Sequence, residues 1–431
     1  MALLLRLRLT FSWLWLATAL FSQAYVEGGN TRHRFAQLLI GVDAQFFPAT
    51  GQTFQLGENG QPQPFTPQAS LVPRINIAGT HFWGHANFYI SIPTANLLDN
   101  SVPDGGQYTF NPGVETGLRL YPWRIERRKI RPFAGTAFGI TDWKQENPDG
   151  EGTFAHQTRF PLQLGVTYQH KNLLFELGAA RYLNNDARYY YNRTEATDIE
   201  LPHTYFWLGC HFQLETTLSA EASYQSNTYE KTVERLANRQ ALSAWSLAVG
   251  PSSAFVQGDA PRNERLYPAI GEHSGPSIFP EFGLGYYHYP WDAHLNLAYR
   301  GNSSERTAYG QRQRLQRRAL TLEAYKFLFD YHGFVPFIGP HISREWYELT
   351  ETVDGKEVYQ AQSQQWAPGI TFGWDIRPNQ LQSFILRTNL RYTPTDNIGE
   401  EGGVSFSQLE FNFIQLVVYP GRIKRMRRAL E

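Results

Sequence analysis

Large apolar residues alternate with small or polar ones along several stretches of this chain. In residues 160–168 every second position is Phe, Leu, Val or Tyr, and the positions between them are Pro, Gln, Gly and Thr. A period of two residues predicts a β-strand with two unlike faces, because successive side chains of a strand point to opposite sides. The pattern recurs in residues 206–214, 366–376 and 384–392, and no segment between these strands reads as a long amphipathic helix. The sequence therefore predicts an all-β fold.

The residues that end the strands favour a membrane barrel over a soluble β-sandwich. Three predicted strands finish with Tyr-Pro, in GLRLYPW (117–123), GYYHYPW (285–291) and LVVYPG (416–421). Tyr and Trp at strand ends are typical of the lipid headgroup boundary, since each ring combines an apolar body with a polar tip. The alternative is that they are aromatic turn residues of a soluble fold. The predicted girdle residues are Tyr121, Trp123, Tyr289, Trp291 and Tyr419.

The N-terminal segment has the features of a secretory signal peptide. Arg6 and Arg8 precede the apolar run LTFSWLWLATALFSQA, and small residues end the segment at Ala24. The alternative is a membrane anchor, but the run is shorter than the roughly 20 residues that a spanning helix needs. The predicted organisation is a signal peptide over residues 1–24, a transmembrane barrel over 25–421 and a basic periplasmic tail over 422–431. The tail either contacts anionic lipid headgroups or is solvated.

The strand count leaves two arrangements open. Sixteen strands are expected, near residues 35–47, 71–83, 85–93, 113–123, 129–145, 159–171, 173–184, 203–214, 246–258, 278–290, 291–301, 319–331, 334–350, 366–377, 383–394 and 407–420. Residues 212–225, FQLETTLSAEASYQ, read as a hairpin, which favours one antiparallel transmembrane β-barrel of 16 to 18 strands. Similar stretches about 200 residues apart suggest duplicated halves, 35–215 and 243–420, and hence two tandem eight-stranded barrels as the alternative.

The whole mature chain resembles the bacterial outer-membrane β-barrel proteins. The resemblance rests on the signal peptide, the alternating strands, the YPW elements and the final strand FNFIQLVVY. It implies the bacterial outer membrane, contact with its lipids and folding by the barrel assembly machinery, which reads a terminal aromatic residue. Tyr419 would be that residue, although 12 residues follow it, which departs from the usual pattern.

Polar residues opposite the apolar stripe are expected to face the lumen. The candidates are Arg119, His211, His294, Arg300, Asp375, Arg387 and Arg391. An open lumen rich in arginine favours a passive pore for small polar or anionic solutes. If Arg and Asp instead pair and fill a narrow barrel, the protein is a non-conducting anchor for surface loops, a scaffold or an adhesin. Without Arg6 and Arg8 the chain has 37 basic and 39 acidic residues, which argues against nucleic acid as a partner.

Nothing in the sequence frames an active site or a metal site. Cys210 is the only cysteine, and no HExxH spacing or Gly-rich phosphate loop is present. A lipid-modifying barrel enzyme is the least favoured alternative, and Ser274 beside His273 would be its least improbable site. His156 and His203 lie near the outer ends of strands, but no motif surrounds them. The expectation is a protein without catalytic activity, metal or cofactor.

Overall fold

A computed structural model describes residues 37–56, 61–81, 84–98, 107–123, 129–146, 152–215, 227–256, 260–271, 277–331, 333–377 and 381–431. The predicted signal peptide lies outside these ranges. The described residues form mainly antiparallel strands, and these close into two separate rings. We call the ring formed by residues 37–215 the N-barrel and the ring formed by residues 244–418 the C-barrel.

Eight strand positions make up the N-barrel. In chain order the strands are β1 (Gln37–Phe47), β2 (Thr53–Leu56), β3 (Pro62–Phe65), β4 (Ser70–His81), β5 (Ala86–Pro93), β6 (Gln107–Leu120), β7 (Ile130–Glu146), β8 (Gly152–Arg159), β9 (Pro161–His170), β10 (Leu173–Tyr182), β11 (Asp186–Tyr190), β12 (Ala196–Glu200) and β13 (Thr204–Glu215). Strands β8 and β9 follow one another along β7 and fill one position of the ring. The pairs β2–β3 and β11–β12 are small separate hairpins. Strand β1 pairs with β13 along almost its whole length, which closes the ring.

The C-barrel is a continuous meander of eight strands. They are β14 (Ala244–Val256), β15 (Ser277–His288), β16 (Ala293–Ala308), β17 (Gln311–Phe327), β18 (Phe334–Val353), β19 (Lys356–Ile376), β20 (Phe384–Thr393) and β21 (Gln408–Val418). Each pairs with its neighbour, and β14 pairs with β21 to complete the barrel. The last strand therefore pairs with the first strand of its own half of the chain.

The predicted antiparallel β-barrel fold is confirmed, and all sixteen expected strands are present. The preference for one large barrel is wrong, because β13 pairs with β1 and leaves no edge on which β14 could continue the same sheet. Strand β14 pairs instead with β15 and β21. Most of the hairpin expected over residues 212–225 lies outside the described residues, and its described part, 212–215, belongs to β13. The chain forms the alternative, two tandem eight-stranded barrels.

Four strands of the C-barrel are much longer than a membrane requires. Strands β16 to β19 contain 16, 17, 20 and 21 residues, whereas about 9–11 residues cross a bilayer. Their surplus length lies at the end that carries the β16–β17 and β18–β19 turns, which we call the outer end because long segments of such barrels face the cell exterior. A one-and-a-half-turn helix, α2 (Pro261–Leu266), packs at this end.

Two helices cover the opposite, inner end of the C-barrel. They are α1 (Asn227–Asn238) and α3 (Pro420–Leu430), and they share an apolar cluster with Val233 on α1 and Met426 on α3. The predicted basic tail is thus a helix with one buried side. No helix in the described ranges is both long and apolar enough to span a membrane.

Arg422 fixes α3 to the mouth of the C-barrel. Its Nε donates a hydrogen bond to the carbonyl of Leu242 at 2.7 Å, and its Nη1 donates one to the carbonyl of Gln382 at 2.8 Å. The guanidinium also lies 4.1 Å from the ring centroid of Tyr419. Burial lowers the pKa of Arg422. Arg422, the first residue of the basic segment 422–431, therefore donates to buried backbone carbonyls instead of being solvated.

The two barrels pack side by side through their apolar outer faces. Phe138 of the N-barrel lies edge-on to Phe255 and Phe411 of the C-barrel, with ring centroids 5.3 and 5.8 Å apart. Nearer the inner end, Phe88 and Trp374 are 5.3 Å apart. Aromatic pairs at these distances add to the burial of apolar area. The barrels therefore pack against each other and are not joined by their linker alone.

Candidate functional site

The middle of the C-barrel is filled by a network of arginine and glutamate side chains. Arg391 on β20 bonds to Glu281 at 3.2 Å, to Glu410 at 2.9 Å and also to Glu323. These three glutamates lie on β15, β21 and β17, so the contacts of one arginine cross the lumen. None of the four side chains is exposed to solvent. Such a network satisfies buried charges that would otherwise be very costly in a narrow interior.

Glu410 is the second branching point of this network. It accepts hydrogen bonds from Arg300 on β16 and Arg317 on β17 in addition to Arg391. Arg317 continues the network to Glu345 on β18, at 2.7 Å. The chain of charge-assisted bonds therefore links β15, β16, β17, β18, β20 and β21 across the interior. The barrel wall and its filling stabilise one another.

Apolar layers close the C-barrel interior above and below the charges. Toward the inner end Asp375 pairs with Arg387 at 2.7 Å, beside an aromatic layer. The buried members of this inner layer are Ala244, Ala248, Tyr287, Tyr325, Phe327, Val335, Phe337, Ile385, Val417 and Tyr419. The buried members of the outer layer are Ala260, Leu315, Tyr347, Leu349, Ile398, Val404 and Phe406. The charged middle is thus sealed from both ends.

Helix α2 holds the outer layer in place. Arg262 forms a two-pronged contact with Glu351, with N–O distances of 2.9 and 2.8 Å, and its guanidinium lies 3.8 Å from the ring centroid of Tyr359. The hydrogen bonds to Glu351 raise the pKa of Arg262. Next to it, Asn263 donates to the side chain of Gln313 at 2.9 Å. Residues 260–271, the described part of the connection between β14 and β15, therefore pack over the outer layer.

The N-barrel has a smaller but equally dense polar centre. Arg119 on β6 pairs with Glu176 on β10 at 2.8 Å. Glu115 accepts hydrogen bonds from the hydroxyls of Tyr89 and Tyr205 at 2.6 and 2.8 Å. Around these groups lies an aromatic cluster, whose buried rings are Phe47, Tyr108, Phe110, Tyr121, Phe133, Trp143, Tyr182, Tyr189, Tyr205 and Trp207. In the described part of the chain, the interiors of both barrels are therefore filled by packed side chains.

All seven residues expected to face the lumen are buried within the barrels. The C-barrel holds His294, Arg300, Asp375, Arg387 and Arg391, and the N-barrel holds Arg119 and His211. The side chain of His294 contacts Ser246 Oγ at 3.0 Å. Four of the C-barrel residues belong to ion pairs and so bind one another or nearby carboxylates instead of facing water.

Apart from Asp375, which pairs with Arg387, the acidic partners of these arginines were not identified in the sequence. Glu281, Glu323, Glu345 and Glu410 occupy inward positions of their strands and are fully buried. Strand parity was a usable signal for Glu281, Glu323 and Glu410, since each lies between apolar neighbours, as Leu322 and Ala324 flank Glu323. The neighbours of Glu345 are Arg344 and Trp346. A pairing across the barrel joins strands distant in sequence, and no local pattern specifies it.

The predicted aromatic girdle is divided between the two faces of the wall. Trp123 and Trp291 are exposed on the exterior, at 44% and 72%. Tyr121 and Tyr419 instead point inward and are almost fully buried, and Tyr289 is partly buried beside the inner apolar clusters. Tyr121 shares the parity of the inward Arg119, and for this reason it cannot face lipid. The Tyr-Pro elements end strands, but their Tyr side chains seal the barrels from inside.

Contacts at the outer end join the two barrels a second time. Arg193, between β11 and β12, donates to the carbonyl of Tyr309 and to Asp354, both at 2.8 Å. Tyr309 and Asp354 lie in the β16–β17 and β18–β19 turns. The hydroxyl of Tyr309 donates to the carbonyl of Tyr190 at 2.9 Å. The tips of the two longest hairpins therefore rest on the N-barrel.

The candidate catalytic residues of the sequence are only partly within the described ranges. Ser274 and His273 lie outside the described residues. His203 is described and lies 3.1 Å from Glu200, at the outer edge of the N-barrel. In the described part of the chain, no three His, Cys, Asp or Glu side chains come together as a metal-binding group.

The exterior of both barrels is apolar, and this defines the class of the protein. Exposed side chains on the wall include Val42, Ile75, Leu162, Leu164, Leu177, Leu208, Leu247, Phe282, Leu295, Leu320, Ile342, Ile370 and Leu416. Closed antiparallel barrels with an apolar outer band and without free edges are transmembrane β-barrels of the outer-membrane type. The predicted class of antiparallel β-barrel is confirmed, and the bacterial outer membrane remains its predicted location.

The structural neighbours of the chain are outer-membrane β-barrel proteins. It is similar to Neisserial surface protein A, with 11% identity and a TM-score of 0.31, covering 41% of this chain and 96% of that one. The attachment invasion locus protein Ail of Yersinia pestis is 8% identical, with a TM-score of 0.29 and coverage of 41% and 97%. An outer membrane channel from Pseudomonas putida F1 is 10% identical, with a TM-score of 0.22 and coverage of 91% and 99%. No family model and no curated protein matches the sequence.

Proposed function

We propose that this protein is a non-conducting outer-membrane anchor that displays a β-structured binding platform at the cell surface. The observation that carries this proposal is Arg391, which is fully buried and bonded to Glu281, Glu323 and Glu410 across the C-barrel. Side chains that line an aqueous channel are in contact with water. The charged side chains expected to line this lumen, such as Arg391, are instead buried and bonded to carboxylates. This supports a non-conducting barrel over a pore for small polar or anionic solutes.

The geometry of the outer end supports the binding part of the proposal. Strands β18 and β19 continue for about ten residues beyond the roughly 9–11 that cross a bilayer. Their tip is tied to the N-barrel through the bond from Arg193 to Asp354. A projection held in this way has a fixed shape, and a preformed surface binds a partner with a smaller entropic cost than a mobile loop. The function requires no catalysis and no cofactor.

Assembly and lipid contact complete the proposed role. The exposed apolar wall requires the lipids of the outer membrane as its solvent. Strand β21 remains the segment that the barrel assembly machinery is proposed to read. Tyr419 faces the interior, so the exposed Leu416 is the outward apolar side chain that this strand offers near its end.

Solute flux into vesicles tests the proposal. The purified mature protein is folded into phospholipid vesicles, and the entry of small neutral sugars and small anions is followed by swelling. Flux equal to that of empty vesicles is expected, and a known outer-membrane pore in matched vesicles provides the positive control. Flux proportional to the amount of folded protein would overturn the non-conducting proposal.

A further inference from the structure

The outward face of strand β17 changes from apolar to basic along its length. Leu322 and Leu320 are exposed and lie at the level of the apolar band. Toward the outer end the next outward positions are Arg318, Gln316 and Arg314, and both arginines are exposed. The change marks the place where the wall leaves the hydrocarbon and enters the headgroup region of the outer leaflet.

The neighbouring strands carry an arginine and two tryptophans at the same height. On β18, Arg344 and Trp346 point outward above the exposed Ile342, and on β19 Trp366 is 62% exposed. Arg318 lies directly opposite Trp346 on β18. Arg344 lies directly opposite Trp366 on β19, with its guanidinium 5.4 Å from the ring centroid. We call Arg318, Arg344, Trp346 and Trp366 the boundary patch.

The charges around the boundary patch leave it basic. Arg344 donates to Gln364 at 2.9 Å, and this bond aligns the guanidinium without neutralising it. Higher on the same face Arg312 is paired with Glu305 at 2.7 Å, and Glu348 accepts a hydrogen bond from Gln360. No carboxylate is bonded to Arg318 or Arg344 in the described structure.

We propose that the boundary patch binds the phosphate group of a phosphorylated lipid in the outer leaflet. Arginine guanidinium groups bond phosphate oxygens in a two-pronged geometry and are weakly hydrated, which suits the headgroup boundary. The two tryptophans anchor this height of the wall in the headgroup layer. The acyl chains of the same lipid run along the exposed Leu320, Leu322 and Ile342 directly below. Continuity between the arginines and the apolar strip selects a lipid rather than free phosphate.

Lipid binding by the whole mature protein in detergent micelles tests this proposal. The probes are lipid A with its phosphates and the same lipid A after enzymatic removal of the phosphates, and bound lipid is counted by native mass spectrometry. The unmodified protein is expected to retain phosphorylated lipid A at least about tenfold better than the dephosphorylated form, as the loss of charge-assisted hydrogen bonds predicts. Equal retention of the two lipids would overturn the proposal without any variant.

A double variant, Arg318→Gln with Arg344→Gln, locates the site. It is expected to lose the preference for phosphorylated lipid, whereas the matched control Arg312→Gln, whose arginine is engaged by Glu305, keeps it. Folding of each variant is verified by the heat-dependent shift in gel mobility typical of closed barrels. If the folded double variant keeps the full preference, the phosphate binds elsewhere and the proposal is wrong. Complete displacement of the lipid by millimolar inorganic phosphate would assign the arginines to free phosphate and would also contradict it.

Discussion

Arg391 Nη1 lies 2.9 Å from Glu410 Oε2 in the middle of the C-barrel, and neither side chain is accessible to solvent. Replacement of Arg391 with Met would leave three carboxylates partly unpaired in a closed interior. Breaking a buried ion pair from one side costs about 3–5 kcal/mol, because the remaining charge has no solvent to replace its partner. We expect a loss of this size in the free energy of unfolding, measured by urea denaturation in vesicles with Trp fluorescence.

The exposed pair Arg312 and Glu305 provides the control for this substitution. Its N–O distance is 2.7 Å, almost the same as in the buried pairs, but both side chains are about half exposed. Exposed pairs contribute roughly 0–1 kcal/mol, so Arg312→Met should hardly change the unfolding midpoint. Equal effects of the two substitutions would show that the interior network does not stabilise the barrel.

Substitution of Arg422 should release the C-terminal helix from the barrel mouth. Arg422→Ala removes the bonds to the carbonyls of Leu242 and Gln382, the polar contacts that hold the start of α3. We expect hydrogen exchange of the α3 amides to rise at least about tenfold, since local opening then requires fewer contacts to break. Arg428→Ala, on an exposed position of the same helix, is the matched control and should leave exchange unchanged. Slow exchange in Arg422→Ala would mean that the apolar cluster and the bonds from Arg425 to the carbonyls of Ala241 and Ser243 fix the helix without Arg422.

Crosslinking should detect the packing of the two barrels in the membrane. In a Cys210→Ala background, Phe138→Cys with Phe411→Cys places two thiols at positions whose native ring centroids are 5.8 Å apart. A short bifunctional maleimide should join them and produce a compact species on a denaturing gel. Phe138→Cys with Phe282→Cys, on an exposed part of the C-barrel wall, should not react in this way. Equal crosslinking of both pairs would indicate that the barrels do not keep a fixed arrangement.

The contact at the outer end should protect the platform from proteases. Arg193→Ala removes the bonds to Tyr309 and Asp354, and cleavage of the β18–β19 turn by trypsin at Lys356 should become faster. The pair is exposed, so global stability should change by no more than about 1 kcal/mol. Arg188→Ala alters the same N-barrel hairpin, where Arg188 lies near the ring of Tyr190 and outside the contact between barrels. Unchanged cleavage in Arg193→Ala would argue against a tied platform.

The sequence predicted the strands because strand patterning is local. Alternation in residues 160–168 requires only that neighbouring side chains face opposite sides of one wall. Local patterning does not predict which strands close the ring. Strands β1 and β13 are separated by more than 150 residues, and their pairing leaves no periodic signal in the sequence. A hairpin predicted after β13 favoured one large barrel, and that preference is wrong because β1 pairs with β13 and β14 pairs with β21.

Local patterning also predicted which side chains point into the barrel interior, but not which of them bond to one another. Parity assigned Arg119, Arg300 and Arg391 to inward positions, where they are buried. Whether such arginines line water or pair with acids depends on residues across the barrel, such as Glu410 for Arg300. A ring of eight strands has room only for its own side chains, whereas sixteen strands leave a channel. The functional prediction therefore followed from the strand arrangement and changed with it.

Conductance across a planar lipid bilayer tests the central claim of closed interiors most directly. The mature protein, folded and inserted from detergent, is held under an applied voltage in concentrated potassium chloride. We predict a baseline without discrete current steps, because Arg391, Glu410 and Arg119 lie in sealed interiors. Reproducible steps of uniform size that grow in number with the inserted protein would contradict this account.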